Sequence, residues 1–170
     1  LRVDRIDLDY LVRYTNAPWL VIDAPGTPQH GLFLRDEQGR PQVLDQRSGA
    51  PAAFGKDVQP AMFAELAAAD EAPACRSVMS LVAERYLADE YSPAAVAERC
   101  GVPAETIERL ALEMAAVAFE QTIELPIEWT DVWGNKHDKV VGRPVAMYAM
   151  RGISAHSNGF QSCRALHLIQ

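Results

Sequence analysis

The chain has 170 residues, a formal charge of −7 and a pI near 5.1, with 49% apolar and 23% charged residues. That is enough apolar material for a domain with a core, and too little clustered positive charge for a nucleic-acid backbone to be the main partner. No apolar run reaches the roughly 18 residues a membrane span needs, which argues against direct membrane insertion.

Residues 4–15 are expected to form a short helix with Ile6, Tyr10, Leu11 and Tyr14 on one face, and Pro18 forbids its continuation. Residues 19–22 read as a strand. Apolar clusters at 30–35 and 41–45 flank Asp36-Glu-Gln-Gly-Arg40, which predicts a β-hairpin whose turn takes its positive φ from Gly39. This hairpin lies within an insertion at about 17–60. His30 has no acidic or cysteine neighbour in sequence and reads as an exposed loop imidazole rather than a ligand or base.

Residues 46–57 are rich in small and turn-forming residues and predict a surface loop. Two helices are expected next, a short one at 57–70 carrying Met62, Phe63 and Leu66, and one at 75–87 carrying Val78, Leu81, Val82 and Tyr86. Ser92-Pro93 is a cap followed by a first-turn proline, Gly101 is a stop, and Val102-Pro103 opens another helix to about Phe119. Helix, glycine turn and helix over 95–114 is also the outline of a DNA-binding helix-turn-helix. Glu105, Glu108 and Glu113, offset by Arg109 alone, would repel phosphates on the reading helix.

A strand is expected at 121–127, with Pro126 marking an edge strand or a strand end. The polar, aromatic stretch at about 128–144 is a second insertion. Its Asp131, His137 and Asp138 are potential ligands or bases, yet without a defined spacing they read as a solvated hairpin tip. The three cysteines, Cys75, Cys100 and Cys163, are too widely spaced for a disulfide framework or a Cys-x-x-Cys metal site and read as small buried hydrophobes.

The most informative stretch is the last. Val145 to Met150 is an apolar run of strand length, Arg151-Gly152 punctuates it, Ser154 or Ser157 can cap a helix, and Phe160, Cys163, Leu166 and Ile169 recur at threes. Strand, small-residue turn and helix leave free N–H groups and a positive dipole end at one spot, where an anion such as phosphate is favoured. Arg151, Ser154, His156, Ser157 and Asn158 crowd that turn, and Gly152 and Gly159 would permit close backbone approach.

Gly152-Ile-Ser-Ala-His-Ser-Asn-Gly159 with Arg164-Ala-Leu-His-Leu168 resembles the Gly-x-x-x-His-x-x-Gly segment of the molybdopterin oxidoreductases, the dimethyl sulfoxide reductase family. Two upstream runs are similar to the same family in the same order. They are Asp7-Leu-Asp-Tyr-Leu-Val-Arg-Tyr-Thr15 and Tyr91-Ser-Pro93 through Gly101-Val-Pro-Ala-Glu-Thr-Ile107 to Leu110-Ala111. The pattern departs where Ala155 stands in place of a Gln before the histidine.

The resemblance implies an α/β, Rossmann-like partial domain with helices on a small, mostly parallel sheet. It further implies an internal fragment, 1–170, of a catalytic subunit of a molybdenum-dependent oxidoreductase, inactive alone. Arg151, Gly152, Ser154, His156, Ser157, Asn158 and Gly159 would then contact bis(molybdopterin guanine dinucleotide). His156 would touch the pterin or help position substrate, unless it is a supporting structural residue. A 4Fe–4S cluster is expected outside this stretch. The implied partners are the rest of the catalytic subunit, with an iron–sulfur electron-transfer subunit beside it, and sulfur oxyanion, polysulfide or formate is the implied substrate class. The chain starts in mid-pattern at Leu1 and stops at Gln170 without a cap, which fits a piece of a larger subunit. A stand-alone interaction domain is the alternative. No residue is assigned as a proton donor or metal ligand, and any export signal is expected upstream, so the compartment is left open.

Overall fold

The computed structural model describes residues 5–69 and 72–169, and these divide into two compact units. One contains residues up to Ile107 together with Thr130–Lys136, the other Glu108–Trp129 and the chain from His137 onward.

The first unit opens with α1, Leu8–Tyr14, whose N-cap Asp7 accepts the N–H of Tyr10 at 3.0 Å. The expected start at Asp4 lies outside the described residues. Thr15 ends α1, and β1, Leu20–Ile22, follows with all three residues buried. The turn at 36–40 is formed, with Gly39 at φ 76° and the Asp36 carboxylate accepting the N–H of Arg40 at 2.8 Å. Strands β2, Gln42–Leu44, and β3, Pro51–Ala53, pair antiparallel across the next turn.

No helix forms at 57–70, whose last residue is outside the described set; the segment is loop and then β4, Glu65–Leu66. Its backbone donors are taken up elsewhere. Gln59 N–H donates to the buried Asp45 carboxylate at 3.0 Å, Ala61 N–H to the Leu44 carbonyl at 2.8 Å, and Ala64 N–H to the Ser77 hydroxyl at 3.1 Å. The Gln59 N–H in turn holds the Asp45 carboxyl below the ordinary carboxylate range.

The helix expected from residue 75 begins later, because Cys75–Ser77 is strand β5 at the centre of a sheet of order β1-β5-β4, antiparallel throughout. Ser77 ends that strand and caps α2, Val78–Tyr86. Its buried hydroxyl accepts from Ser80 N–H at 3.1 Å and donates to the Met62 carbonyl at 2.8 Å. Leu20, Ile22, Ala64 and Cys75 form the core of this sheet, and Val43 on β2 is fully buried as well. A 3₁₀ turn at Asp89–Tyr91 leads to α3, Pro93–Cys100, capped by Ser92 and stopped by Gly101 at φ 72°.

Helix α4, Ala104–Glu120, carries the chain into the second unit. Strand β6, Ile123–Leu125, pairs antiparallel with β9, Val140–Gly142. Between them β7, Trp129–Thr130, and β8, Lys136–His137, make the predicted hairpin, whose five-residue link is too short for a parallel crossover. The chain ends in α5, Arg151–Ser154, and α6, Gly159–Ile169. Across the described residues of this unit, Gly159 alone is buried.

The molecule is thus mixed α and β with several small antiparallel sheets. The expected parallel, Rossmann-like sheet is corrected: no parallel pairing occurs among the described residues.

Candidate functional site

Residues 145–150 do not form the strand expected to feed the site. An apolar run becomes a strand by finding a backbone partner, and β9, ending at Gly142, already pairs with β6 while Pro144 lacks an N–H to continue a ladder. Tyr148 and Met150 are 88% and 65% exposed, so this run lies on the surface. Arg151 and Gly152 consequently open a helix rather than a strand-to-helix turn. Gly152 has no positive φ, and a side chain there would meet open space.

Gly159 is required for a different reason from the one its spacing suggested. A Cβ at this position would overlap the Ser154 carbonyl and lie 2.8 Å from the Ser154 Cα. The close approach that glycine permits is therefore to the chain's own backbone, where α6 leaves the end of α5.

The other predicted residues are exposed and partly engaged in local bonds. Ser154 Oγ donates to the Arg151 carbonyl at 3.0 Å, and His156 Nδ1 accepts the Asn158 N–H at 3.2 Å, which assigns the neutral ring its proton on Nε2. Helix α6 starts beyond Ser157, with the Asn158 carbonyl accepting from Ser162 N–H at 3.0 Å. Arg151, His156, Ser157 and the Asn158 side chain all face solvent. These residues do not fit a preformed cradle for a bis(molybdopterin guanine dinucleotide) cofactor. Its backbone approach at Gly159 is filled by Ser154, and the buried donors without a partner among the described residues, Trp19 Nε1 and Arg76 Nε, lie outside this segment. No step is derived through that cofactor or through a 4Fe–4S cluster, and no group of three His, Cys, Asp or Glu that could hold a metal occurs among the described residues.

Charge marks this region more clearly than its motif does. All 23 carboxylate side chains lie between Asp4 and Asp138, whereas Lys139, Arg143, Arg151 and Arg164 follow without a single Asp or Glu. The signal was countable in the sequence, but a motif reading centred on single residues passes over it.

The remaining candidates resolve as structure. Asp131 is buried and accepts from Trp133 N–H at 2.9 Å, Asn135 N–H at 2.8 Å and Asn135 Nδ2 at 2.9 Å, which organises the hairpin tip. His137 stacks on Trp129 with ring centres 4.5 Å apart. His30 does have an acidic neighbour, Asp23, at 3.7 Å, brought near by a turn that spacing alone does not reveal. Arg76 lines an open cleft, yet it is taken up by carboxylates: it pairs with Glu84, with Glu65 at 3.2 Å and with Asp23 at 4.0 Å. Of the cysteines, Cys75 is buried as expected, and burial pushes its thiol pKa up; Cys163 is half-buried and Cys100 exposed, so the expectation fails there.

Against known proteins, no family model and no solved structure matches the chain. It is similar to a sulfite dehydrogenase subunit of Allochromatium vinosum, 43% identical over 173 residues, an alignment that takes in 96% of this chain and 18% of that protein. The chain thus spans less than a fifth of the length of the curated relative it matches.

The assignment to the dimethyl sulfoxide reductase family is corrected on these findings. The similarity found runs to a protein named for sulfite dehydrogenation, and the parallel sheet that the assignment implied is absent among the described residues. With it goes the activity inferred from that assignment, that of a molybdopterin catalytic subunit.

Proposed function

We propose that this chain serves in sulfite oxidation, within a sulfite dehydrogenase built from more than one subunit. The observation that carries the reading is the 43% identity to the Allochromatium vinosum sulfite dehydrogenase subunit, sustained over 96% of the chain. Converting sulfite and water to sulfate releases two protons and two electrons, so an enzyme of this class needs an electron acceptor. An iron–sulfur electron-transfer subunit is the partner we propose for that role. Arg151, Gly152, Ser154, His156, Ser157 and Asn158 form the part of the chain that faces an anionic group in this reading, while Gly159 stays buried against the Ser154 backbone. The acid-free stretch around them supports it, because no carboxylate within that stretch competes for Arg151 and Arg164.

The test is genetic and enzymatic. Deleting the gene that encodes this sequence is expected to abolish sulfite-dependent reduction of an artificial electron acceptor in cell extracts, and returning the gene should restore it. Molybdenum, iron and haem analysis of the purified holoprotein identifies the redox cofactor in the same preparation. Sulfite-dependent reduction that survives the deletion unchanged sinks the reading.

A further inference from the structure

We infer that the tip of the β7–β8 hairpin, residues 130–136, is a clasp: a turn folded by its own bonds that docks within the first unit and fastens the loop at 54–60. Thr130–Lys136 belongs to the same compact unit as α1 and that loop, so the inference stands on geometry inside one unit and not on the sulfite reading. Three observations carry it.

The first is that the tip makes its own shape. Asp131 N–H donates to the Asn135 carbonyl at 2.9 Å and Gly134 N–H to the Asp131 carbonyl at 3.0 Å, while the Asp131 carboxylate accepts the N–H groups of Trp133 and Asn135. Gly134 supplies the positive φ of 83° that this turn requires. Every one of these bonds is local, so the tip is rigid before it meets anything distant.

The second is what the tip meets. The Trp133 ring lies 5.8 Å from that of Phe54, Phe54 lies 6.4 Å from Trp19, and Trp19 meets Phe33 edge-on at 5.3 Å, which makes Trp133 the end of an aromatic row. Lys56 Nζ donates to the Trp133 carbonyl at 3.2 Å across 77 positions of sequence, and Arg13 Nη1 on α1 lies 3.9 Å from the Asp131 carboxylate. Val12 and Arg13 of α1, Phe54 and Lys56 of the loop, and Trp133 and Asn135 of the tip line one cleft. Burial follows the same geometry: Asp131 is 6% exposed and Trp133 half-buried, whereas Val132 between them is 60% exposed, as in a turn seated on one side.

The third is where the loop needs holding. Its ends are tied by backbone donors, Phe54 N–H to the Pro41 carbonyl at 2.9 Å and Gln59 N–H to the Asp45 carboxylate at 3.0 Å. The tip grips between those ties, at the Phe54 ring and the Lys56 ammonium. A segment held by side chains at one point opens more readily than the sheet it lies on.

Amide hydrogen exchange of the full-length protein that contains this sequence tests the clasp. In Trp133→Ala, exchange across 54–60 should accelerate roughly tenfold while β1 and β5 keep their protection, and Trp133→Phe, which retains a ring, should keep most of it. Lys56→Met, at an exposed position, should accelerate the same loop by a smaller factor, about threefold. Unchanged exchange across 54–60 in Trp133→Ala overturns the inference, because something else then holds the loop. Equal acceleration in β1 and β5, or a Trp133→Ala protein that does not fold, overturns it as well, because a clasp is dispensable to the core and such a Trp133 would belong to it.

Discussion

The two units solve the problem of apolar surface in opposite ways. In the first, β1 is buried along its whole length, Leu20, Val43 and Cys75 are at most 1% exposed, and the polar groups that enter the interior, Asp45 and Ser77, each satisfy several backbone donors or acceptors. In the second, α4 buries no residue, β6 is exposed at every position, and Leu110, Leu112, Ile123 and Leu125 are between 41% and 58% accessible. A helix gains most of its stability from packing an apolar face, and an isolated two-stranded ribbon is marginal in water. The first unit therefore carries its own stability. The second holds its shape through local bonds and presents its apolar groups outward.

Replacing Leu20 by Ala breaks this comparison most directly. It empties part of a fully buried site against Ile22, Ala64 and Cys75 and should cost about 3 kcal/mol, read as a lower urea midpoint. Leu112→Ala, at a position 58% exposed in the second unit, should change stability by less than about 0.5 kcal/mol. Equal effects from the two would remove the distinction between the units.

Ser77→Ala comes next, at about 2 kcal/mol. It keeps the volume but leaves the Ala64 N–H and the Met62 carbonyl without their partner inside the sheet, and it removes the cap of α2. Ser77→Gly should not rescue it, since the hydroxyl, not the backbone, is what the neighbours use. Denaturation by urea checks both.

Gly159→Ala tests the second unit on its own terms. The methyl group would collide with the Ser154 backbone, so α5 and α6 must separate, and amide hydrogen exchange across residues 151–169 should accelerate. The urea midpoint of the first unit should stay where it is. A global loss of stability would mean that the second unit contributes to the core after all.

What could be read from the sequence follows from how local each cause is. Asp7, Ser92 and Gly101 are cap signals acting within three or four residues, and each does what its residue type predicts. The segment at 57–70 misled because its N–H groups are claimed by Asp45, Leu44 and Ser77, 13 to 17 positions away. Residues 145–150 have the composition of a strand, but a strand is made by its neighbour, and composition says nothing of that neighbour. At the candidate site the polar residues were legible, whereas their use was not. Gly159 serves a helix-to-helix contact that no spacing rule anticipates.

The smallest expected effect sharpens the comparison from the other side. On α4, Arg109 Nη1 meets both Glu113 oxygens, at 2.8 and 3.0 Å, with each side chain 58% exposed. Such a pair gains little in high dielectric and loses side-chain entropy, so Glu113→Gln should alter stability by less than about 0.5 kcal/mol, and salt should screen even that. Helical signal at 222 nm, compared for the two proteins at low and high salt, is the measurement. A clear loss of helix in Glu113→Gln would mean that surface charge holds α4 together and that its uncovered apolar face is incidental. An unchanged signal leaves that face as the feature in need of a partner, because ion pairs of this kind are then too weak to substitute for the burial α4 lacks.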